Sequence, residues 1–384
     1  MRVLLSTLTP YPSGSAHTVH ITATAQGFVD AGHDVTLASA QPGPGWPAGD
    51  TPPDTSAFDV RTLAGRDHRG LSLVNAPRLW RLARTLRPDL CFADDVRSAL
   101  TVALTGTPVL VELHSMAFHR TVLGRAAFGR LLTRPELVAV VTISEALRDD
   151  AIAAGADPAR TVTLPEAARP RSDAELAAAP PEWLRPSMRP GALQVGYSGS
   201  LYAGRGVDVL EGVARALPDV DVHVLGGPVD RADALRSRTD RPANLHVHGL
   251  RPPSDAARLQ VAMDVLLAPY ARSVATPGGV DTSRWMSPMK VFEYLAAGTS
   301  AVCSDLPALR EVLEDEATVL LVDPDDVDAW VAAVRRLRDD PALRERLGTT
   351  ARRDHAERFT WERRTRRMLD LARAHASARR TSGR

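Results

Sequence analysis

The sequence has 384 residues, a formal net charge of +1, 44% hydrophobic residues and 24% charged residues. This length exceeds what one ordinary hydrophobic core holds, so it predicts a globular protein of two domains. The near-neutral charge and the scarcity of aromatic residues argue against a nucleic-acid-binding surface, and no apolar run approaches the ~18 residues of a membrane-spanning helix. The N-terminus lacks a signal peptide's apolar core and cleavage site, so we expect a cytoplasmic protein.

The first half of the chain alternates short apolar strands with helices. Such strands, separated by helical stretches, are typical of a parallel sheet covered on both faces. We therefore predict a doubly wound α/β domain over residues 1–178. Its predicted strands are RVLLSTL, DVTLASA, LCFADD, PVLVELHS and LVAVVTIS.

The alternation stops at residues 179–191, which are rich in proline and have no periodicity, and this stretch is predicted to be a linker. It restarts in residues 192–358, which predict a second doubly wound domain. Residues 359–384 are predicted to form a C-terminal helix that crosses back to the first domain. Ligands of such sheets bind beyond the carboxyl ends of the strands, so we expect the site in the cleft between the two domains.

Two kinds of residue that often carry chemistry are interpreted as structural here. Cys91 and Cys303 lie in separate apolar strands and are expected to be buried small side chains. The adjacent aspartates Asp94 and Asp95 are expected to be solvated or structural. No Cys/His spacing suggests zinc, so we predict no metal site.

A glycine-rich turn follows the strand LQVGYSGS. The turn GSLYAGRG comes close to a phosphate-binding P-loop, but Gly206 stands where that loop needs a magnesium-binding Ser or Thr. Gly199 lets the backbone approach a ligand closely. Arg205 opens a helix whose N-terminus favours anions, although it could also be an ordinary surface arginine.

Lys290 is the only lysine in the chain, and the other 46 basic residues are arginine. Ser287 is predicted to cap a helix with Pro288 as its first residue, which places Lys290 in the first turn. A cation at that end costs about 0.3–1 kcal/mol against the helix dipole, and a bound phosphate would reverse the sign. The alternative is an ion pair with Glu293, worth only ~0.2–0.5 kcal/mol and equally available to arginine. We therefore predict a phosphate site at Lys290, with the Glu293 carboxylate suited to a pair of ribose hydroxyls.

Several segments, in this order and spacing, resemble the family 4 retaining glycosyltransferases of the GT-B fold. That fold has two Rossmann-like doubly wound domains that face a central cleft. The resemblance spans nearly the whole chain. The segments are VELHS, VVTISEALRDD, VGYSGSLYAGRGVDVL, NLHVHGL, DVLLAPY, SPMKVFEYLAAGTSAVCSD and FTWERR.

The resemblance implies that the C-terminal domain binds a UDP- or GDP-sugar and that the N-terminal domain binds the acceptor. It implies catalytic roles for His114, Arg205 and Lys290, and base binding by His248, Gly249 and Leu250. The residues expected at the donor diphosphate and ribose are Ser13, Gly14, Gly199, Ser200, Arg205, Ser287, Met289, Lys290 and Glu293.

The sequence departs from the family pattern at two positions. Ser200 stands where the family usually has an arginine, and Trp285 stands where it usually has a glutamate. Lys290 is then the residue left to supply the second cation at the diphosphate. These departures keep open a non-catalytic nucleotide-sugar-binding subunit, and the shared architecture keeps open a nucleotide-sugar epimerase.

The remaining expectations concern the reaction and the partners. No nucleophile is evident, and the family's retaining reaction is explained by same-face attack with the leaving phosphate taking the acceptor proton. No cofactor is expected beyond the nucleotide sugar, and the acceptor could be a small molecule, a glycan or a lipid-linked molecule. Arginines and apolar residues recur through residues 120–134, which predicts either an ordinary packed helix or a peripheral contact with the inner membrane face. The oligomeric state is left open.

Overall fold

The computed structural model describes residues 1–13, 16–40, 53–63, 71–274 and 281–382, without the side chains of residues 71–74 and 382. Two compact units form, one from Met1–Pro165 with Trp361–Arg384 and the other from Glu166–Thr360. The strands are β1 (Arg2–Pro10), β2 (Asp34–Ala40), β3 (Asp59–Thr62), β4 (Leu90–Ala93), β5 (Val109–Leu113), β6 (Leu137–Thr142), β7 (Thr161–Thr163), β8 (Leu193–Ser198), β9 (Val220–Leu225), β10 (Leu245–Gly249), β11 (Val265–Ala268), β12 (Ser300–Ser304) and β13 (Leu320–Val322). The helices are α1 (Ala16–Asp30), α2 (Leu71–Leu86), α3 (Val96–Ala103), α4 (Val122–Leu132), α5 (Glu145–Ala153), α6 (Asp173–Leu176), α7 (Val207–Ala216), α8 (Val229–Ser237), α9 (Pro253–Ala262), α10 (Met289–Ala297), α11 (Pro307–Arg310), α12 (Val327–Asp339), α13 (Pro341–Arg358) and α14 (Trp361–Ser382).

The first unit is built on a seven-stranded parallel sheet in the order β3-β2-β1-β4-β5-β6-β7. Every residue of β4, β5 and β6 is buried, as expected for strands covered on both faces. Helix α14 belongs to this unit because its Met368 and Leu369 pack into the core with Ile21 and Phe28 of α1.

The second unit is built on a six-stranded parallel sheet in the order β10-β9-β8-β11-β12-β13. Successive residues of β11 enter two separate cores: Val265 and Leu267 pack with Trp330, whereas Leu266 packs with Phe292. The period of two places an apolar layer on each face of the sheet. Both units therefore have the parallel, two-faced α/β architecture that the sequence predicts.

The observed unit boundaries differ from the predicted ones. The first unit ends at Pro165 rather than at residue 178, and residues 179–191 belong to the second unit instead of linking the two. The proline-rich segment is anchored there because Leu184 is fully buried and Arg189 pairs with the buried Asp221 carboxylate at 2.8 Å. Proline content indicated an irregular backbone here but not where that backbone packs.

Among the helices that the structure describes, none is both long enough and apolar enough to cross a membrane. Cys91 and Cys303 are buried free thiols, as predicted. Burial raises the pKa of both thiols, that of Cys303 to about 12.

Candidate functional site

The carboxyl ends of β8 and β9 approach each other closely in the second unit. Gly199 follows β8 with a φ of +146°, and its N–H donates to the carbonyl of Leu225 at 2.9 Å. A side chain on Gly226 would overlap the Gly199 carbonyl oxygen. Only glycines fit this approach, and they leave the backbone at the strand ends uncovered by side chains.

The Lys290 amine lies over this glycine turn. Its Nζ is 3.9 Å from the centroid of the Tyr197 ring and 5.0 Å from that of the Tyr270 ring. A Cβ added to Gly199 would lie 2.6 Å from Nζ. The alternative ion pair with Glu293 does not form, because the Glu293 carboxylate accepts instead from Gln260 Nε2 at 2.9 Å.

Arg205 brings a second cation to the same place. Its guanidinium carbon lies 5.2 Å from the centroid of the Tyr270 ring, and its Nε is buried without a hydrogen-bond partner in the described part of the chain. Burial, and then repulsion by Arg205, hold the pKa of Lys290 well below its usual value. Within the described ranges no carboxylate lies within 4 Å of either cation, so the pair favours an incoming anion.

The helices on either side of this pair begin without side-chain caps. Helix α7 starts after Gly206, whose backbone is in the left-handed conformation, and helix α10 starts after Pro288. The prediction that Ser287 caps α10 is wrong: its hydroxyl accepts instead from the backbone N–H of Glu166 at 2.9 Å. Lys290 is still in the first turn, as predicted, and Met289 is the first helical residue. The uncapped N–H groups add to the positive potential of the two cations.

A buried amide that the sequence did not single out holds Glu293. Gln260 is fully buried, and its Nε2 donates to Glu293 and, at 3.0 Å, to Ser198 Oγ. Its Oε1 accepts from Arg171 Nη2 at 3.1 Å. Arg171 is thus a further cation near Glu293. Its segment is irregular and flanked by proline, and no pattern in that sequence predicted a role for it.

The two departures from the family pattern have clear local surroundings. Ser200 presents its backbone carbonyl to the Tyr197 hydroxyl at 2.6 Å, which fixes the turn but provides no cation. Trp285 lies in a turn closed by its N–H on the carbonyl of Thr282 at 3.0 Å. Neither residue supplies the charge that the family pattern has there.

The predicted base-binding residues lie at the carboxyl end of β10. The His248 ring is already engaged: its Nε2 lies 3.1 Å from His223 Nδ1, and Trp183 packs against it edge-on. Burial lowers the pKa of His248 to about 4, so the ring is neutral near pH 7. Gly249 has a φ of +76°, and the Leu250 side chain is 43% exposed. The groups of this segment that are available to contact a nucleotide base are therefore the backbone of the turn and the Leu250 side chain.

Three side chains converge on a buried carboxylate in the first unit. Glu112 on β5 is fully buried, pairs with Arg364 of α14 and accepts from His20 at 2.9 Å. His114, which follows β5, has its Nε2 3.4 Å from the same carboxylate and is one-third exposed. The predicted catalytic histidine is therefore held by a charged network at its strand end.

The N-terminal residues expected near the donor are only partly described. The Ser13 N–H donates to Thr18 Oγ1 at 2.9 Å, which fixes the turn before α1. Gly14 lies outside the described residues.

The two adjacent aspartates have different environments. Asp95 caps α3 by accepting from the N–H groups of Arg97 and Ser98, each at 2.9 Å, which is the expected structural role. The Asp94 side chain is only 5% exposed, lies 3.1 Å from His17 and lines a cavity of about 300 Å³. Asp94 is therefore not solvated, which corrects that part of the prediction.

Comparisons with known proteins agree with this architecture. Residues 17–168 match the model described as Glycosyltransferase Family 4, and residues 205–370 match the one described as Glycosyl transferase-like. The chain is 14% identical to Anabaena HepE, solved in complex with UDP, with a TM-score of 0.72 over 97% of this chain and 100% of that one. At that identity the likeness shows the fold alone.

Curated relatives match over shorter segments. A D-inositol 3-phosphate glycosyltransferase of Saccharomonospora viridis is 36% identical over 86 residues, which are 22% of this chain and 20% of the relative. A phosphatidyl-myo-inositol mannosyltransferase of Mycolicibacterium smegmatis is 33% identical over 152 residues, which are 39% of this chain and 35% of the relative. The chain thus spans about a third or less of the length of these two relatives. The two family matches, one on each half of the chain, confirm the resemblance, and the chain belongs to the family 4 glycosyltransferases with the GT-B fold.

Proposed function

We propose that the chain transfers a sugar from a UDP- or GDP-sugar to a hydroxyl of an acceptor, with retention of anomeric configuration and without a metal. The observation that carries this proposal is the pair formed by Lys290 and Arg205. Both cations flank Tyr270 at the carboxyl end of the sheet, and no described carboxylate pairs with either. A diphosphate is the ligand whose charge and size match two cations between two uncapped helix starts.

The chemistry follows from where charge develops. The bond from the anomeric carbon to the diphosphate oxygen breaks, the sugar takes on oxocarbenium-like character, and the leaving diphosphate gains negative charge. Lys290, Arg205 and the starts of α7 and α10 stabilise that charge, which is the role a metal ion plays in other transferases. The acceptor oxygen forms the new bond on the same face, and its proton passes to the leaving diphosphate. His114, held by Glu112, positions the sugar.

The relatives support the donor and the acceptor as proposals. HepE has been solved with UDP and also with UDP-glucose, which favours a uridine nucleotide for this chain. The curated relatives are named for inositol phosphate and phosphatidylinositol acceptors, which favours a hydroxyl on a polyol ring.

A thermal-shift panel of UDP-, GDP-, ADP- and TDP-sugars tests the proposed donor. A ligand that binds only the folded protein adds about 2.7 kcal/mol of stability at 100 times its Kd, so the matching nucleotide is expected to raise Tm by several degrees. UDP or GDP is expected to reproduce most of the shift, because the contacts proposed here are to the diphosphate. Failure of all four nucleotides to shift Tm would contradict the proposed function.

A non-catalytic nucleotide-sugar-binding subunit is the second candidate. The observation in its favour is that neither Ser200 nor Trp285 supplies the charge the family pattern places there. Such a protein would bind the donor tightly yet release no nucleoside diphosphate with any acceptor. An epimerase would instead convert the donor sugar when no acceptor is present, which chromatography of the donor after incubation detects.

The start of α4 is the proposed membrane contact. Val122 and Leu123 are 72% and 83% exposed, and the exposed arginines Arg120 and Arg125 flank them. The later apolar residues of the stretch pack inward, since Phe128 is buried, so only this end combines an apolar pair with cations. Such a surface fits the anionic inner face of a membrane.

Vesicle co-sedimentation tests this contact with a matched pair of valines. Val122 and Val229 are each the first residue of a helix and are both exposed, but Val229 lies in the second unit. Val122→Glu is expected to reduce binding to phosphatidylglycerol vesicles about tenfold, whereas Val229→Glu leaves it unchanged. Equal binding to purely phosphatidylcholine vesicles, or equal loss in both variants, would show that α4 is an ordinary packed helix.

A further inference from the structure

A cavity at the carboxyl ends of three strands of the first unit is not explained by donor binding. It holds about 300 Å³ and opens where β1, β4 and β5 end. Its polar lining includes Thr9, Asp94, His114 and Ser115, and Phe118 contributes an aromatic wall. This is the position where ligands of doubly wound sheets bind, in the unit that the family resemblance assigns to the acceptor.

Asp94 is a lining residue whose buried carboxylate has neutral neighbours but no described arginine or lysine partner. Its carboxylate is almost fully buried and lies 3.1 Å from His17, whose pKa burial lowers to about 3, so that this ring carries no charge near pH 7. Burial, and then the neighbouring Asp95, raise the pKa of Asp94 to about 7. In the described part of the chain no arginine or lysine pairs with it. The Thr7 hydroxyl already donates to this carboxylate and opposes the rise in its pKa. A ligand hydroxyl would be a further donor, which suits a buried carboxyl that no described arginine or lysine pairs with.

The charges around the cavity do not suit a phosphate ester. Arg97 is the one arginine or lysine in the described lining, and its side chain is exposed to solvent. Arg364 lies behind the lining residue Glu112 and forms an ion pair with it. A phosphate would bring further negative charge beside Asp94 and Asp95, without the arginine fork or lysine that usually binds it. Hydroxyl groups of a sugar or another polyol match the serine, threonine, histidine and carboxylate groups that are present.

We propose that Asp94 binds and orients the acceptor hydroxyl, and that the acceptor moiety held in this cavity is an uncharged polyol such as a sugar ring. This inference rests on the proposed glycosyl transfer and specifies its acceptor. It separates the chain from a transferase whose acceptor carries a phosphate at this position. Asp94 acts as a positioning residue, since the leaving diphosphate takes the proton.

Paired acceptors test the charge of the acceptor. Nucleoside diphosphate release is measured with glucose, mannose, myo-inositol and methyl glycosides, each compared with its phosphate ester where one exists. The neutral member of a pair is expected to have at least a tenfold higher kcat/KM. Preference for the phosphate esters would overturn the inference, as would a lack of stimulation by every neutral acceptor. Since UDP and GDP binding is measured separately, loss of nucleotide binding would instead overturn the proposed function.

Asp94→Asn tests the residue itself. It is expected to lower acceptor kcat/KM by about 10- to 100-fold, as for loss of a hydrogen bond to a charged group, without changing nucleoside diphosphate affinity. Asp149→Asn is the matched control, because Asp149 is an exposed aspartate of the same unit. An acceptor kcat/KM equal to wild type in Asp94→Asn would overturn the role of Asp94.

The pH profile separates positioning from a purely structural role. The groups that interact with Asp94 or face it are Thr7 on β1, Cys91 on β4, His17 and His20 on α1, Asp95 on its own loop, Glu112 on β5, and His114 just after β5. Because a hydroxyl donor favours the ionised carboxylate, the acceptor KM should fall as pH rises through about 7. Asp94→Asn should remove this dependence while Asp149→Asn keeps it. A dependence that persists in Asp94→Asn would contradict the inference.

Discussion

Replacement of Lys290 by methionine is expected to weaken UDP or GDP binding by about 30- to 1,000-fold, equivalent to about 2–4 kcal/mol. The physical reason is that Lys290 and Arg205 form a half-buried cationic pair with which no described carboxylate forms an ion pair. Methionine keeps the length and the packing against Tyr197 but removes the charge. Isothermal titration calorimetry with the nucleoside diphosphate measures the loss without requiring an acceptor.

Lys290→Arg is the matched control for charge. Arginine retains the cation, but its planar fork needs more room than the ammonium, which already sits where a Gly199 side chain would be. We expect this variant to recover part of the affinity that the methionine variant loses. Wild-type affinity in Lys290→Met would show that the single lysine is a chance survivor of an arginine-rich composition.

Proton uptake on binding is a second test of the role of Lys290. Since burial and Arg205 hold the pKa of Lys290 down in the free protein, a bound diphosphate should raise it. Binding then takes up protons, and affinity falls as pH rises through the lowered pKa of the free protein. Titration over a series of pH values in buffers of different ionisation enthalpy should show uptake in the wild type and none in Lys290→Arg. At pH values well above 6 the nucleotide phosphate, whose pKa lies near 6, contributes little.

A pair of glycine variants tests whether the position of the amine matters. Gly199 and Gly191 both have a positive φ, so alanine strains the backbone at both sites. Only at Gly199 would the new Cβ also displace the Lys290 amine, because Gly191 has open space around it. Gly199→Ala is therefore expected to lower nucleotide affinity by more than tenfold, while Gly191→Ala affects stability alone. Equal affinities in the two variants would contradict this.

The sequence predicted those features of the site that depend on local pattern. Apolar strands and turn glycines placed the strand ends, and composition singled out Lys290 in the first turn of its helix. Ser287 was wrongly predicted to be an N-cap because N-cap preference is judged from neighbouring residues alone. In the structure its hydroxyl accepts from the N–H of Glu166, which is distant in sequence. Gln260 and Arg171 were missed because their roles arise only from tertiary contacts.

Asp94 and Asp95 show a further limit of sequence reasoning. The two residues are identical and adjacent, yet one caps a helix and the other lines a cavity. The end of β4 at Ala93 decides which of them faces the helix start, and that boundary is uncertain by a residue or more from sequence alone. Their separate roles therefore became visible only with the backbone.

Arg364→Met is expected to destabilise the first unit by about 3–5 kcal/mol, the largest effect on stability that we predict. Arg364 and Glu112 form an ion pair in which both side chains are nearly inaccessible, and the guanidinium also donates to the carbonyl of Pro165 at 3.0 Å. Removal of the arginine leaves a buried carboxylate whose neighbours, His20 and His114, cannot fully replace the charge. Urea unfolding followed by far-UV circular dichroism measures the loss.

Arg366→Met is the matched control on the same helix. Arg366 is two residues further along α14 and pairs with Glu362 at the surface, where an ion pair contributes about 0–1 kcal/mol. The double variant Arg364→Met with Glu112→Leu should recover part of the stability, because it removes the orphaned charge as well as its partner. An Arg364→Met protein as stable as Arg366→Met would contradict the importance of the buried pair.

The same substitution should change how the free energy of unfolding depends on pH below neutrality. Although burial opposes it, the Arg364 charge keeps the pKa of Glu112 well below its usual value, so its stabilisation is present at neutral pH and is lost as pH falls through that lowered pKa. Without Arg364, burial dominates and the pKa rises, so that acidification neutralises the orphaned carboxylate and the difference between variant and wild type shrinks. Because Glu112 also lies 3.4 Å from His114, the variant should lose acceptor turnover in excess of what unfolding explains. The C-terminal helix therefore supports the predicted catalytic histidine through one buried charge, although the helix itself carries none of the predicted site residues.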